Sequence, residues 1–187
     1  MRFVCLLAVS LMFSGLTSGA IARDGRLAQA LPPPDAEMLS RQPTRQIIDR
    51  IETKHPATYF LLAKRLFVEG EREEAVFWFY LGQIRYRSYL KLNPKLDPSG
   101  DPALFSSLFE VVGRPINVYA FGDIPKLIDT IDRALEWDGS HADTYAPKAS
   151  PDRNQIVNGL RALKVSILAQ QDEIRASRTA KGLENRK

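Results

Sequence analysis

The sequence predicts an all-α protein, a bundle of about six helices built around one antiparallel hairpin. Two observations carry this expectation. Apolar residues recur at three- and four-residue intervals across residues 44–178, the spacing that gathers them on one helix face, and no apolar–polar alternation lasts long enough to line a sheet. Prolines and glycines also punctuate the periodic segments near their ends, at Pro56, Gly70, Pro94, Pro102, Gly113, Gly139 and Pro151.

Two segments precede the periodic part. Residues 1–22 read MRFVCLLAVSLMFSGLTSGAIA: a basic Arg2, an apolar run, then small residues ending in Ala20-Ile21-Ala22. That is the layout of a secretory signal peptide cleaved after Ala22, which predicts a periplasmic or secreted protein starting at Arg23. The apolar run is too short for a full span, and no later stretch reaches the roughly 18 apolar residues a membrane helix needs. The single cysteine, Cys5, lies inside this segment and ahead of any lipoprotein cleavage site. The mature chain therefore has no thiol to form a disulfide, bind a metal or attack a substrate. Residues 23–43 hold Pro32-Pro33-Pro34 and Pro43 without an apolar period, and read as a proline-containing linker.

Residues 44–54 form a short helix with Ile47, Ile48 and Ile51 on one face. Pro56 suits a first helical position, and Tyr59, Leu62, Ala63, Leu66 and Phe67 then repeat at helical spacing as far as Gly70, the stop. Glu71, Glu73 and Glu74 favour the start of another helix, because they face its positive dipole end. So short a turn folds the two helices back on each other. The second runs to Leu92, before Asn93-Pro94.

Asp101 as N-cap and Gly113 as stop bound a short helix. RPINVYAFG, residues 114–122, breaks the period and reads as an extended buried crossing. Asp123 caps a helix carrying Ile124, Leu127, Ile128, Ile131, Ala134 and Leu135 to Gly139. Residues 140–150 form a loop. Pro151 opens the last helix, with Ile156, Val157, Leu160, Leu163, Ile167, Leu168 and Ile174 inward. Residues 44–178 make up the helical domain. Residues 179–187 form a basic tail, flexible and solvated.

The stretch EAVFWFYLGQIRYRSYL, residues 74–90, concentrates the questions about function. On a helical wheel its apolar arc runs nearly all the way round, as in a helix packed on two or three sides. Its aromatics are therefore core first. A polar wedge remains at Tyr80, Gln83, Arg87 and Lys91. Arg85 falls inside the apolar arc, where a guanidinium needs a carboxylate or an aromatic face. The rings on that face are Trp78 and Tyr89, and Glu110 and Asp132 are candidate acids. The alternative is that Arg85 floors an anion-binding groove. Trp137, beside the loop, is a core cap or a partner anchor. Candidate partner- or anion-binding residues are thus Arg85, Arg87, Tyr80, Lys91 and Trp137.

The hairpin resembles one tetratricopeptide or Sel1-like repeat over residues 56–92. Tyr59, Ala63 and Leu66 stand at the large–small–large positions of its first helix. Ala75, Phe79 and Gly82 stand at the small–aromatic–small positions of its second. Arg87 replaces the proline expected after the second helix, and no second copy follows. The resemblance implies a helical, partner-binding scaffold, whose lone hairpin must be covered by other helices.

Signals for catalysis are missing. The two histidines, His55 and His141, have no metal-ligand or histidine–carboxylate spacing, and there is no phosphate-cradling glycine loop, dinucleotide fingerprint or G-x-S-x-G. Asp129 and Asp132 share a helix face with Lys126 and Arg133 nearby, the pattern of a solvated charged surface. A formal charge of +4 with both signs interspersed argues against nucleic acid. No catalytic residue, cofactor or metal is expected. The expected function is that of an exported, non-catalytic protein-binding module, of immunity or adaptor type. The alternative is a small cell-envelope hydrolase with a scattered site.

Overall fold

The computed structural model describes residues 41–187. The expected signal peptide at 1–22 lies outside them, as does the linker up to residue 40. Eight α-helices and no strand occur among the described residues: α1 Thr44–Ile48, α2 Ala57–Glu69, α3 Arg72–Leu92, α4 Asp101–Val111, α5 Gly113–Ala120, α6 Ile124–Ser140, α7 Pro151–Ala169 and α8 Gln171–Ala180. The class is all-α. A one-turn 3₁₀ helix, Ile51–Thr53, follows α1.

The hairpin α2/α3 is the centre. Gly70 ends α2 at φ 93°, in the left-handed region, and the Glu71 N–H returns to the Leu66 carbonyl at 2.9 Å. The two helices then press close. A Cβ on Gly82 would come within 2.8 Å of Tyr59 Cβ, so glycine sets the crossing distance.

Every residue from 75 to 86 on α3 is buried. α2 covers one side, α6 and α7 another, and α4 and α5 a third. Phe77, Trp78, Phe79 and Tyr80 thus lie in the core, each burial worth about 1.5–3 kcal/mol. Phe79 meets Phe60 edge-on at 5.5 Å, and Trp78 meets Phe77 and Trp137 at 5.0 and 5.9 Å.

Three expectations about the elements are corrected. Residues 114–122 do not form an extended crossing, because Gly113–Ala120 is helical. Pro115 sits in the first turn of α5, where its missing N–H has no intrahelical partner to lose. Val112 keeps a helical backbone, so the chain only bends between α4 and α5, and the bare Cα of Gly113 admits the Phe79 ring. The last helix is broken at Gln170, which lies at φ −110°, ψ 14°, giving α7 and α8. These two changes turn six helices into eight.

The third correction concerns the tail, which folds back instead of dangling. Arg178, on α8, is buried and donates to the Val118 carbonyl, to the Glu184 carbonyl and to Asn185 Oδ1, at 2.9, 2.7 and 3.2 Å. The Arg186 N–H reaches the Gly122 carbonyl at 2.6 Å, and its guanidinium lies 3.6 Å from the Tyr119 ring centre. A buried cation without a carboxylate needs acceptors, and the tail supplies two of them.

Candidate functional site

Arg85 is 1 % exposed and is neutralised from within. Its Nε lies 2.8 Å from Asp138 Oδ1, and its Nη1 3.4 Å from Asp143 Oδ2. The Nε contact is close but off the hydrogen-bond axis, so the attraction there is coulombic. Nη1 and Nη2 donate to the Ala142 and His141 carbonyls at 2.5 and 3.2 Å. Arg153, at the start of α7, grips the same two acids: Nη2 donates to Asp138 Oδ1 at 2.5 Å and Nη1 to Asp143 Oδ2 at 2.6 Å. Two guanidinium groups and two carboxylates form a closed, charge-balanced clamp. Isolated, any one of these charges would be costly to bury.

The acids are not Glu110 or Asp132, as the wheel suggested. Glu110 is exposed, and Asp132 holds Lys164 at 2.6 Å. The ring facing Arg85 is Trp137, 5.2 Å from the guanidinium carbon, and not Trp78 or Tyr89. Trp137 in turn stacks on His141 at 3.9 Å and 7°, so it caps the core at the clamp. The clamp pins the loop of residues 141–150 to the bundle. Asp143 tightens the loop locally, because its Oδ1 accepts from the Tyr145 and Ala146 N–H groups at 3.0 and 3.2 Å. Arg85 therefore floors no groove.

Next to the clamp, the loop carries Tyr145 onto a second cluster. His55, before α2, lies edge-on to Tyr86, Tyr89 and Tyr145 with ring centres 5.6, 5.6 and 5.4 Å away. Its Nδ1 accepts from the Ala57 N–H at 3.2 Å, which places the proton on Nε2, 3.2 Å from Asp101 Oδ1. Asp101 also accepts from the Tyr86 hydroxyl at 2.7 Å and the Tyr89 hydroxyl at 3.2 Å. Asp101 was expected to cap α4. It is instead the first residue of α4, and its carboxylate is taken up by these three side chains. Burial and the hydrogen bond to Asp101 raise the Tyr86 phenol well above its ordinary value.

The polar wedge of α3 is narrower than the wheel implied. Tyr80 is 2 % exposed, and its hydroxyl donates to Asn117 Oδ1 at 3.1 Å; burial alone raises its pKa far above the ordinary value. Gln83 is buried as well. Tyr80 is covered because α5, which carries Asn117, lies where the wheel left open surface. Arg87 is half-buried, with its guanidinium carbon 5.0 Å from the Phe105 ring centre and 5.4 Å from that of Phe109. Desolvation lowers its pKa. Lys91 is exposed. No carboxylate pairs with Arg87 or Lys91 among the described residues.

The chain is similar to a protein of Haemophilus influenzae described as uncharacterized. The two are 38% identical over 87 residues, which is 46% of this chain and 33% of that protein. The match thus spans about a third of the relative's length. No family model matches the chain, and no solved structure matches it.

Of the five residues singled out from sequence, the fold leaves Arg87 and Lys91 on one accessible face. It commits Arg85 and Tyr80 to the interior and sets Trp137, half-buried, against the edge of the core. Sequence reasoning missed Asp138, Asp143 and Arg153, and it missed the pairing of His55 with Asp101. Spacing could not show these contacts, since Arg85 and its acids, and His55 and Asp101, come from segments far apart in the chain, and Arg153 meets the same acids across a loop. The one available signal was the surplus itself: an arginine inside an apolar arc requires an acid somewhere.

Proposed function

We propose that this is an exported, non-catalytic helical module that works by binding a protein partner, in the manner of an immunity or adaptor protein. The observation that carries the reading is Arg87, a half-buried guanidinium lying on two phenyl rings with no carboxylate to meet it among the described residues. Arginine is one of the residue types enriched at the hot spots of protein interfaces. The signal-like residues 1–22 support export, and the tetratricopeptide-like pattern of the hairpin supports a scaffold role. No helix among the described residues is long and apolar enough to cross a membrane.

The hydrolase alternative draws on one observation, the His55–Asp101 contact. It is weakened by the same geometry. Nδ1 is occupied by the Ala57 N–H and Nε2 faces Asp101, so the ring offers no free nitrogen to take a proton from a nucleophile. The test is to purify the form beginning at Arg23 and pass cell-envelope extract over it at near-physiological salt. One protein retained in stoichiometric amount, and reproduced with both purified components, is the expected result. Solitary behaviour under those conditions would sink the binding reading.

A further inference from the structure

The face carrying Arg87 has a specific chemistry. Arg87 and Lys91 lie one turn apart on α3, about 6 Å along the helix axis. Phe105 and Phe109, one turn apart on α4, lie under the Arg87 guanidinium. Backed by rings, a guanidinium keeps its N–H edge for a partner in the plane, and that fork matches the two oxygens of a carboxylate. No Arg87 nitrogen is both buried and unpaired, and none donates to the protein, so its N–H groups open to solvent. Lys91 adds a second, exposed cation beyond it.

We infer that this ledge is the docking site for an acidic segment of a partner protein, in which two carboxylates about 6 Å apart meet Arg87 and Lys91. One carboxylate pairs side-on with Arg87 over the phenyl rings, and the second meets the Lys91 ammonium. A glutamate pair at i, i+4 on a partner helix has the required separation. The inference rests on the binding-module reading and names the partner's chemistry. Phosphate and lipid headgroups share the charge but lack this paired, planar geometry, so they serve as controls.

The probe is a short blocked peptide, acetyl-Glu-Ala-Ala-Ala-Glu-amide, titrated into ¹⁵N-labelled protein while the Arg87 Nε–H resonance is followed. A saturable shift is expected, absent with the Gln-Ala-Ala-Ala-Gln analogue and weakened by salt. Arg87→Gln should abolish saturation at the neighbouring amides. Arg87→Lys should weaken it about tenfold, the loss of one charge-assisted hydrogen bond, and Lys91→Gln should weaken it too. Thermal melts of each variant show that the fold is retained. No saturable shift, or an equal or stronger one with inorganic phosphate or phosphatidylglycerol vesicles, would overturn the assignment. So would a purified partner that binds Arg87→Gln as tightly as the wild type, although the module reading would then stand. Diacid binding at Arg87 with no partner retained from the envelope would have the opposite meaning: the ledge stands and the module reading falls.

Discussion

Removing Arg85 would leave Asp138 and Asp143 sharing the single guanidinium of Arg153 in a dry site. Arg85→Met should therefore destabilise by about 3–5 kcal/mol in chemical denaturation, the usual penalty for stripping one member of a buried pair. Adding Asp138→Asn removes the surplus negative charge, so the double variant should be more stable than Arg85→Met alone. Simple additivity of the two single changes would show that the clamp is not coupled. Trp78→Ala should cost about 3–5 kcal/mol by opening a cavity among Tyr59, Phe77 and Trp137. A loss under about 1 kcal/mol would mean that the site collapses or the ring is solvated. The tyrosines set the alkaline limit. Tyr80 and Tyr86 have pKa values raised in the fold. Their contribution is present in full below the unfolded value of about 10 and is lost as pH climbs through the range above it. Melts above that pH should fall steadily, and less so in Tyr80→Phe. Tyrosinate absorbance gained before unfolding by the wild type but not by Tyr80→Phe would contradict this, since the partly exposed Tyr89, Tyr119 and Tyr145 are common to both. At this scale the sequence announced the conflict at Arg85 but not its resolution, because the acids lie more than fifty residues away and Asp143 sits in a loop with no helical period to place it.

The elements were legible where local chemistry marks them. Gly70 at positive φ, the glutamates opening α3 and Asp123 accepting from the Lys126 N–H at 3.0 Å are all short-range devices, readable without the fold. α5 was hidden by Pro115, which reads as a breaker unless its place in the first turn is known. The break at Gln170 carries no glycine or proline to mark it in the sequence. The tail was misread for a related reason: its charges describe a solvated segment, while its backbone carbonyl and amide side chain satisfy Arg178. Truncation after Lys181 removes two of the three acceptors of Arg178 and should destabilise by about 1.5–3 kcal/mol, the range for a hydrogen bond to a charged group. Unchanged denaturation would mean that water replaces the tail at no cost.

Across the whole molecule, α3 is an axle against which α2 and α4 to α7 lie, and the clamp fastens α7 to it. The hairpin joins segments separated by a two-residue turn, whereas Arg85 reaches the Ala142 carbonyl across 57 residues of chain. Contacts that close so large a loop form against a greater entropy cost than those within a hairpin. The order of assembly expected from this is that α2 and α3 form in the folding nucleus and the clamp engages after the rate-limiting barrier. Asp143→Ala should accordingly speed unfolding by most of its stability loss and leave the refolding arm of the chevron nearly unmoved. A slowed refolding arm would place the clamp in the nucleus instead. If the clamp closes late, it acts as a kinetic latch, so the protein's lifetime in an environment containing proteases is governed by how seldom four side chains let go of one another.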